Sequence, residues 1–150
     1  MAGGLCHITF VTKNLDRMEK ILTTVMKARK VEDPGADEFT LTKERIFQIG
    51  EGLSSVWIVL IEGSVDLARS YNHVAFIIRE EDVEERLAAI EALGLDLHDG
   101  HPHGTGRGLH GEEGHSIYFY DDDNHMFELH VGTLEDRLRR DDRSKGAPLA

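Results

Sequence analysis

Two short runs rich in β-branched and aromatic residues, Cys6-His-Ile-Thr-Phe-Val11 and Asn72-His-Val-Ala-Phe-Ile77, resemble one another, and both read as strands. A helical pattern follows each. Behind the first, Asn14 offers a cap, and Leu15, Met18, Leu22, Val25 and Met26 recur near a 3.6-residue period. Behind the second, Glu80, Glu81 and Asp82 fall in the first turn, where the helix dipole favours negative charge. Val83, Leu87 and Ile90 then form the apolar stripe, and Gly94 supplies a C-terminal stop. Three further strands are expected after each helix. In the first half they lie at about Ala28–Asp33, Arg45–Gly50 and Ser55–Glu62, and in the second at about Leu95–His98, His115–Tyr120 and His125–Val131.

The plan is therefore βαβββ, stated twice, and the fold class is α+β. We expect one domain over residues 1–150, with a first unit at 5–63, a second at 72–132 and a C-terminal tail at 133–150. Gly63–Asn72 joins the halves, and Leu134–Leu138 reads as a helical turn or two. Each half alone leaves its sheet open, so the halves are expected to pair. Asp99–Gly114 breaks the symmetry: it is a glycine- and histidine-rich loop with almost nothing apolar. Loops of that length inside a compact domain are functional lids or disordered insertions.

Composition narrows the function classes. Apolar residues make up 40% of the chain, enough for a core. Asp and Glu outnumber Lys and Arg by 28 to 17, a net charge of −11, which excludes a protein that tracks nucleic-acid phosphates. The longest apolar stretch, Val56–Ile61, is too short to span a membrane, and no secretory signal is evident at the N-terminus. A single cysteine, Cys6, allows no intrachain disulfide and suits the cytoplasm.

Candidate chemistry starts from the repeat. His7 and His73 stand at matching places, each at the start of the first strand of its half. Glu128 sits inside an otherwise apolar strand, where a carboxylate is costly unless paired or bound to metal. Tandem βαβββ units can close so that these positions converge. Two histidines and one carboxylate form a facial set suited to Mn(II) or Fe(II), with positions left open for water and substrate. Taken singly, each is better read as a structural histidine or a solvated glutamate, so the joint placement carries the weight. Aligning Gly63 with Gly132 sets Val59 opposite Glu128, so a fourth protein ligand is absent and the metal stays catalytically open.

Ser70-Tyr-Asn-His-Val-Ala-Phe76, Ser116-Ile-Tyr-Phe-Tyr-Asp121, Asp123-Asn-His-Met-Phe-Glu-Leu-His130 and Gly132-Thr-Leu134 resemble the vicinal oxygen chelate superfamily, and within it the fosfomycin resistance proteins. The likeness spans nearly the whole chain apart from the Gly/His loop and the last residues. Thr42-Lys-Glu-Arg45 is similar to the hydrolases of the FosX type rather than to the thiol transferases. The resemblance implies a vicinal oxygen chelate fold in a domain-swapped homodimer. It implies Mn(II) held by His7, His73 and Glu128, with fosfomycin as substrate and no nucleic-acid or membrane partner. Thr9, Ser116, Tyr118 and Arg137 are then expected at the phosphonate, Trp57 on the cavity wall and Glu44 as general base for water addition to the epoxide. Arg107 is the candidate for a basic residue that the family carries in the loop, with His101-Pro-His103 as the alternative occupant. Asp136 departs from the family's glutamate. The residues themselves leave blander roles open: Glu44 as a solvated charge between Lys43 and Arg45, Trp57 as core, and Arg137 paired with Glu135 or Asp136. Rival activities are a thiol transferase of the same fold, an extradiol dioxygenase with His125 or His130 as base, a lactoylglutathione lyase and a metal-free drug-sequestering module.

Overall fold

The computed structural model describes residues 4–31, 43–52, 55–98, 116–136, 138 and 139. Arg107, Arg137 and the Asp99–Gly114 loop lie outside the described residues. The chain divides into two compact units, Met1–Leu67 and Ala68–Ala150. Among the described residues, no helix is long and apolar enough to cross a membrane.

The first unit runs β1 (His7–Thr12), α1 (Leu15–Thr24), β2 (Arg29–Val31), β3 (Glu44–Ile49) and β4 (Val56–Glu62). Its sheet has the order β1-β4-β3-β2, with β1 parallel to β4 and the other pairs antiparallel. Asn14 caps α1 as expected, its side chain accepting the Arg17 N–H at 2.9 Å. Leu15, Met18, Leu22, Val25 and Met26 are buried, as is Ile21, which widens the expected stripe. Strand alternation places Phe10, Thr12, Phe47, Ile58 and Leu60 on the buried, helix-facing side of the sheet. Arg45 shares their parity and pairs with Asp16 (2.6 Å) and Glu19 (2.7 Å) of α1.

The second unit repeats the order: β5 (His73–Ile78), a 3₁₀ turn (Glu80–Asp82), α2 (Val83–Ala92), β6 (Asp96–His98), β7 (Ser116–Tyr120) and β8 (Met126–Val131). The sheet order β5-β8-β7-β6 reproduces that of the first unit, again with one parallel pair, β5 and β8. Ile117, Phe119, Phe127, Leu129 and Ile90 are almost or fully inaccessible and form the core. Gly94 ends α2 at φ +64°, and Leu95 N–H returns to Ile90 C=O at 3.1 Å, so the left-handed stop is real.

Two details differ from expectation. Glu80, Glu81 and Asp82 form the 3₁₀ turn, not the first turn of the α-helix. Asp82 makes no capping bond, because Arg79 engages both of its carboxylate oxygens at 3.0 Å. The inner stripe of α2 also includes a charge. Arg86 is buried, Asp82 and Glu85 approach it only to 3.8 and 3.7 Å, and among the described residues its Nε and Nη1 have no hydrogen-bond partner.

Candidate metal centre

Register decides which side chains share a face. In the second sheet His73 lies opposite Met126, and Ala75 opposite Glu128; Tyr118 lies opposite Glu128 and Ser116 opposite His130. Side chains alternate, so His73, Glu128, His130, Ser116 and Tyr118 all project from the side away from the phenylalanine core. In the first sheet His7 lies opposite Trp57, Thr9 opposite Val59, and Glu44 opposite Ile61. His7, Thr9, Glu44, Trp57 and Val59 therefore share the side away from α1. His7 and Thr9 are exposed there, and so is Trp57, half of whose surface is accessible. That removes Trp57 from the core of its unit. The sequence-predicted residues that are described thus form two groups, one on each sheet.

Glu128 is the best-defined of them. Only 7% of it is exposed, and both carboxylate oxygens are engaged. Oε1 accepts from the Ser116 hydroxyl at 2.8 Å and lies 3.2 Å from His130 Nδ1. Oε2 lies 2.9 Å from His73 Nε2. His73 Nδ1 sits 2.7 Å from the Tyr71 carbonyl, which can only accept, so Nδ1 carries a hydrogen. The Nε2 of the neutral ring, which then carries only a lone pair, lies 2.9 Å from a carboxylate oxygen. Two acceptors at that distance repel unless a positive charge lies between them: a second proton on the ring, or a metal ion. A neutral imidazole presented by a carbonyl-bonded Nδ1, beside a carboxylate, is a donor set that fits a divalent cation.

An aromatic wall surrounds this pair. Tyr118, Tyr120 and Met126 are buried together, and Tyr71 packs against them. The Tyr118 ring meets His73 edge-on at 5.4 Å and stacks on Tyr71 at 6.1 Å. Burial, the Glu128 carboxylate and Tyr71 together push the Tyr118 hydroxyl well above the usual phenol range. Tyr118 therefore stays a protonated donor beside a carboxylate. The Tyr71 segment is itself tied down: Tyr120 donates its hydroxyl to Ser70 C=O at 2.9 Å, and Arg69 pairs with Asp96 and lies over the Tyr120 ring at 4.6 Å.

Glu44 is half-buried on its face. Its charged neighbours are occupied elsewhere, Lys43 with Glu62 at 3.3 Å and Arg45 with Asp16 and Glu19. Among the described residues no ion pair or hydrogen bond holds the Glu44 side chain. Asp136, the departure from the family's glutamate, accepts from Thr133 N–H (2.9 Å) and Oγ1–H (2.7 Å), while its own N–H returns to Thr133 Oγ1. It acts as a shortened capping box for the helical residues that follow Gly132.

A second cluster, Asp121, Asp123 and His125, brings three ligand-type atoms within 4.8 Å of one another at the β7–β8 turn. Its geometry is that of a side-chain-braced turn. Asp121 Oδ1 accepts from the Asp123 and His125 N–H groups at 3.0 and 2.7 Å, and Oδ2 lies 2.7 Å from His125 Nδ1. Its carboxylate is consumed locally, so the face bearing Glu128 is the better centre. Sequence reading missed Tyr71 as a part of that centre and gave His130 only as the base of a rival dioxygenase. The period of two from Glu128 was a usable signal for His130; nothing local marks a backbone carbonyl such as that of Tyr71.

No protein-family model matches the chain. Individual relatives do. It is 43% identical over 150 residues to the fosfomycin resistance protein FosX of Mesorhizobium japonicum, covering 100% of this chain and 99% of that one. A mutant FosX from Listeria monocytogenes, solved with Mn(II) and 1S,2S-dihydroxypropylphosphonic acid, superposes with a TM-score of 0.75 at 41% identity, over 93% of this chain and 99% of that one. The metallothiol transferase FosB of Shouchella clausii is more distant, at 29% identity over 143 residues, 92% of this chain and 86% of that one. With both the repeated sheets and the full-length identity in hand, the chain belongs to the FosX family of fosfomycin resistance proteins, in the vicinal oxygen chelate superfamily.

Proposed function

We propose that this chain inactivates fosfomycin by Mn(II)-dependent addition of water to the epoxide. The observation that carries the reading is the buried Glu128 carboxylate facing His73 Nε2 at 2.9 Å, a donor pair that fits a divalent cation. The diol phosphonate in the Listeria FosX structure is fosfomycin plus one water, which supports hydrolysis over thiol transfer.

His7, His73 and Glu128 would hold the metal. When bound, Mn(II) supplies Lewis-acid charge for the phosphonate and epoxide oxygens and offsets the acidity of a chain with net charge −11. Glu44 removes a proton from water as the water oxygen bonds to the ring carbon beside phosphorus. The ring C–O bond breaks, and the released oxygen takes a proton from solvent. General-base assistance of this kind contributes about 10²–10⁴-fold. Tyr118, kept protonated, donates toward the phosphonate together with Thr9, with Ser116 alongside on the same face as Tyr118. Arg107 and Arg137 supply guanidinium charge to it, and Trp57 walls the substrate. The lone cysteine, exposed and free, is consistent with a cytoplasmic protein that needs no disulfide. A homodimer in the manner of the superfamily completes the reading.

The test is ³¹P NMR of fosfomycin with metal-stripped protein and added Mn(II), with and without glutathione. Thiol-independent conversion to the diol phosphonate is expected. Conversion only in the presence of thiol would replace hydrolysis by transfer, and no conversion in either tube would remove fosfomycin as the substrate.

A further inference from the structure

His130 follows Glu128 by two residues on β8 and so projects from the same face. Its Nδ1 lies 2.8 Å from Ser116 Oγ and 3.2 Å from Glu128 Oε1. Ser116 Oγ in turn lies 2.8 Å from Glu128 Oε1. Hydrogen counting fixes the direction of this chain. A carboxylate only accepts, and Ser116 has one hydroxyl hydrogen, so that hydrogen goes to Glu128. The Ser116 oxygen then presents a lone pair to His130 Nδ1, which must carry the donor hydrogen. Were the serine turned toward His130 instead, its oxygen would face Oε1 with no hydrogen between them.

We infer that His130 is a positioning residue for the metal ligand Glu128. Through Ser116, and with its Nδ1 also 3.2 Å from Oε1, His130 holds Oε1 and leaves Oε2 as the oxygen presented to the cation. This rests on the proposed role of Glu128 in holding Mn(II). The remaining geometry agrees. Oε2 is the oxygen turned to His73 Nε2, so the two ligand atoms of this unit point at one another, while Oε1 is tied back on the far side. A carboxylate anchored at one oxygen loses little rotamer entropy on binding and stays monodentate. Outer partners of this type orient ligands throughout metal sites, and losing one costs about 10–100-fold in metal affinity.

The inference also changes the expected role of Ser116. Its single hydrogen is committed to Glu128, so Ser116 cannot donate it to the phosphonate while that bond persists. Removing the serine should therefore weaken the metal rather than a direct contact to the phosphonate.

The experiment measures Mn(II) affinity of the full chain without fosfomycin, from the electron paramagnetic resonance signal of the free ion. His130→Leu and His130→Asn form the decisive pair, since they match in shape and differ in the donor. The Asn amide nitrogen takes the place of Nδ1. His130→Leu is expected to lose about 10–100-fold in affinity, and His130→Asn to recover most of it. Ser116→Ala is expected to fall between the native protein and His130→Leu. Metal-free Leu and Asn forms should each give a cooperative melting transition, which shows that both keep the fold. Equal Mn(II) affinity of the Leu and Asn variants, or native affinity in His130→Leu, would overturn the inference. Glu128→Gln separates the two levels. If it binds Mn(II) as tightly as the native protein, the ligand reading itself falls; if it loses the metal while His130→Leu does not, only the positioning role falls.

Discussion

Glu128→Gln distinguishes a metal ligand from a structural ion pair without any turnover assay. In the metal-free protein the substitution keeps the hydrogen bonds. The amide oxygen at Oε1 still accepts from Ser116, and the amide nitrogen at Oε2 donates to the His73 Nε2 lone pair, which the carboxylate opposes at 2.9 Å. It also removes a charge from a site with 7% exposure. The metal-free variant should melt no lower than the native protein. If Glu128 and His73 instead formed a stabilising buried ion pair, removing one partner would cost about 3–5 kcal/mol, a drop of roughly 6–20 °C at ~2–4 °C per kcal/mol for a chain of this size. Mn(II) reverses the ranking. At a free concentration ~100 times its Kd it stabilises the native protein by about 2.7 kcal/mol, or roughly 5–11 °C, and the variant not at all. Scanning calorimetry of both proteins at increasing Mn(II) reads all four states. A metal-free variant that melts far below the native protein, or one with the native Mn(II) shift, refutes the reasoning.

Glu44→Gln should lower the rate of diol formation by about 10²–10⁴-fold while keeping the native Mn(II)-induced rise in melting temperature; unchanged turnover in the ³¹P assay would remove Glu44 as the base. Alkaline stability should report Tyr118. Its hydroxyl is held above the usual phenol range by burial, Glu128 and Tyr71, so the folded protein keeps a proton that the unfolded chain releases above about pH 10. The corresponding stability is full below that pH and declines as pH rises toward the folded value. Urea midpoints of metal-free native protein should fall more steeply above roughly pH 10 than those of Tyr118→Phe; parallel slopes would sink the assignment.

The architecture was legible because strand and helix periods are local. The apolar runs Val56–Glu62 and Met126–Val131, the Asn14 cap and the Gly94 stop all express short-range physics, and each appears where the sequence places it. Val59 opposite Glu128 was legible too, since the repeat fixes equivalent registers. Arg86 was not, because the polarity of one helical position does not say whether its neighbours bury it. The start of α2 was misplaced by one turn because Arg79 competes for the Asp82 carboxylate, a local contest that composition does not decide. Tyr71 acts through its carbonyl, and a carbonyl has no sequence signature.

The two units share one strand register. Counting from His7 opposite Trp57 and from His73 opposite Met126, Ile61 matches His130 and Val59 matches Glu128. On the neighbouring antiparallel strands, Glu44 opposite Ile61 therefore matches Ser116 opposite His130. The same place in the fold thus holds the serine that braces a carboxylate in one unit and the proposed base in the other. The difference follows from two positions on the partner strand. Where the equivalent strand carries Glu128 and His130, a small hydroxyl bridges them. Where it carries Val59 and Ile61, there is nothing to brace, and among the described residues the Glu44 carboxylate stays unengaged. A bridging role at that position in the first unit would require restoring both partners. Glu44→Ser alone should therefore abolish water activation without improving metal affinity, whereas a gain in Mn(II) binding from that change would show that the two positions are not equivalent.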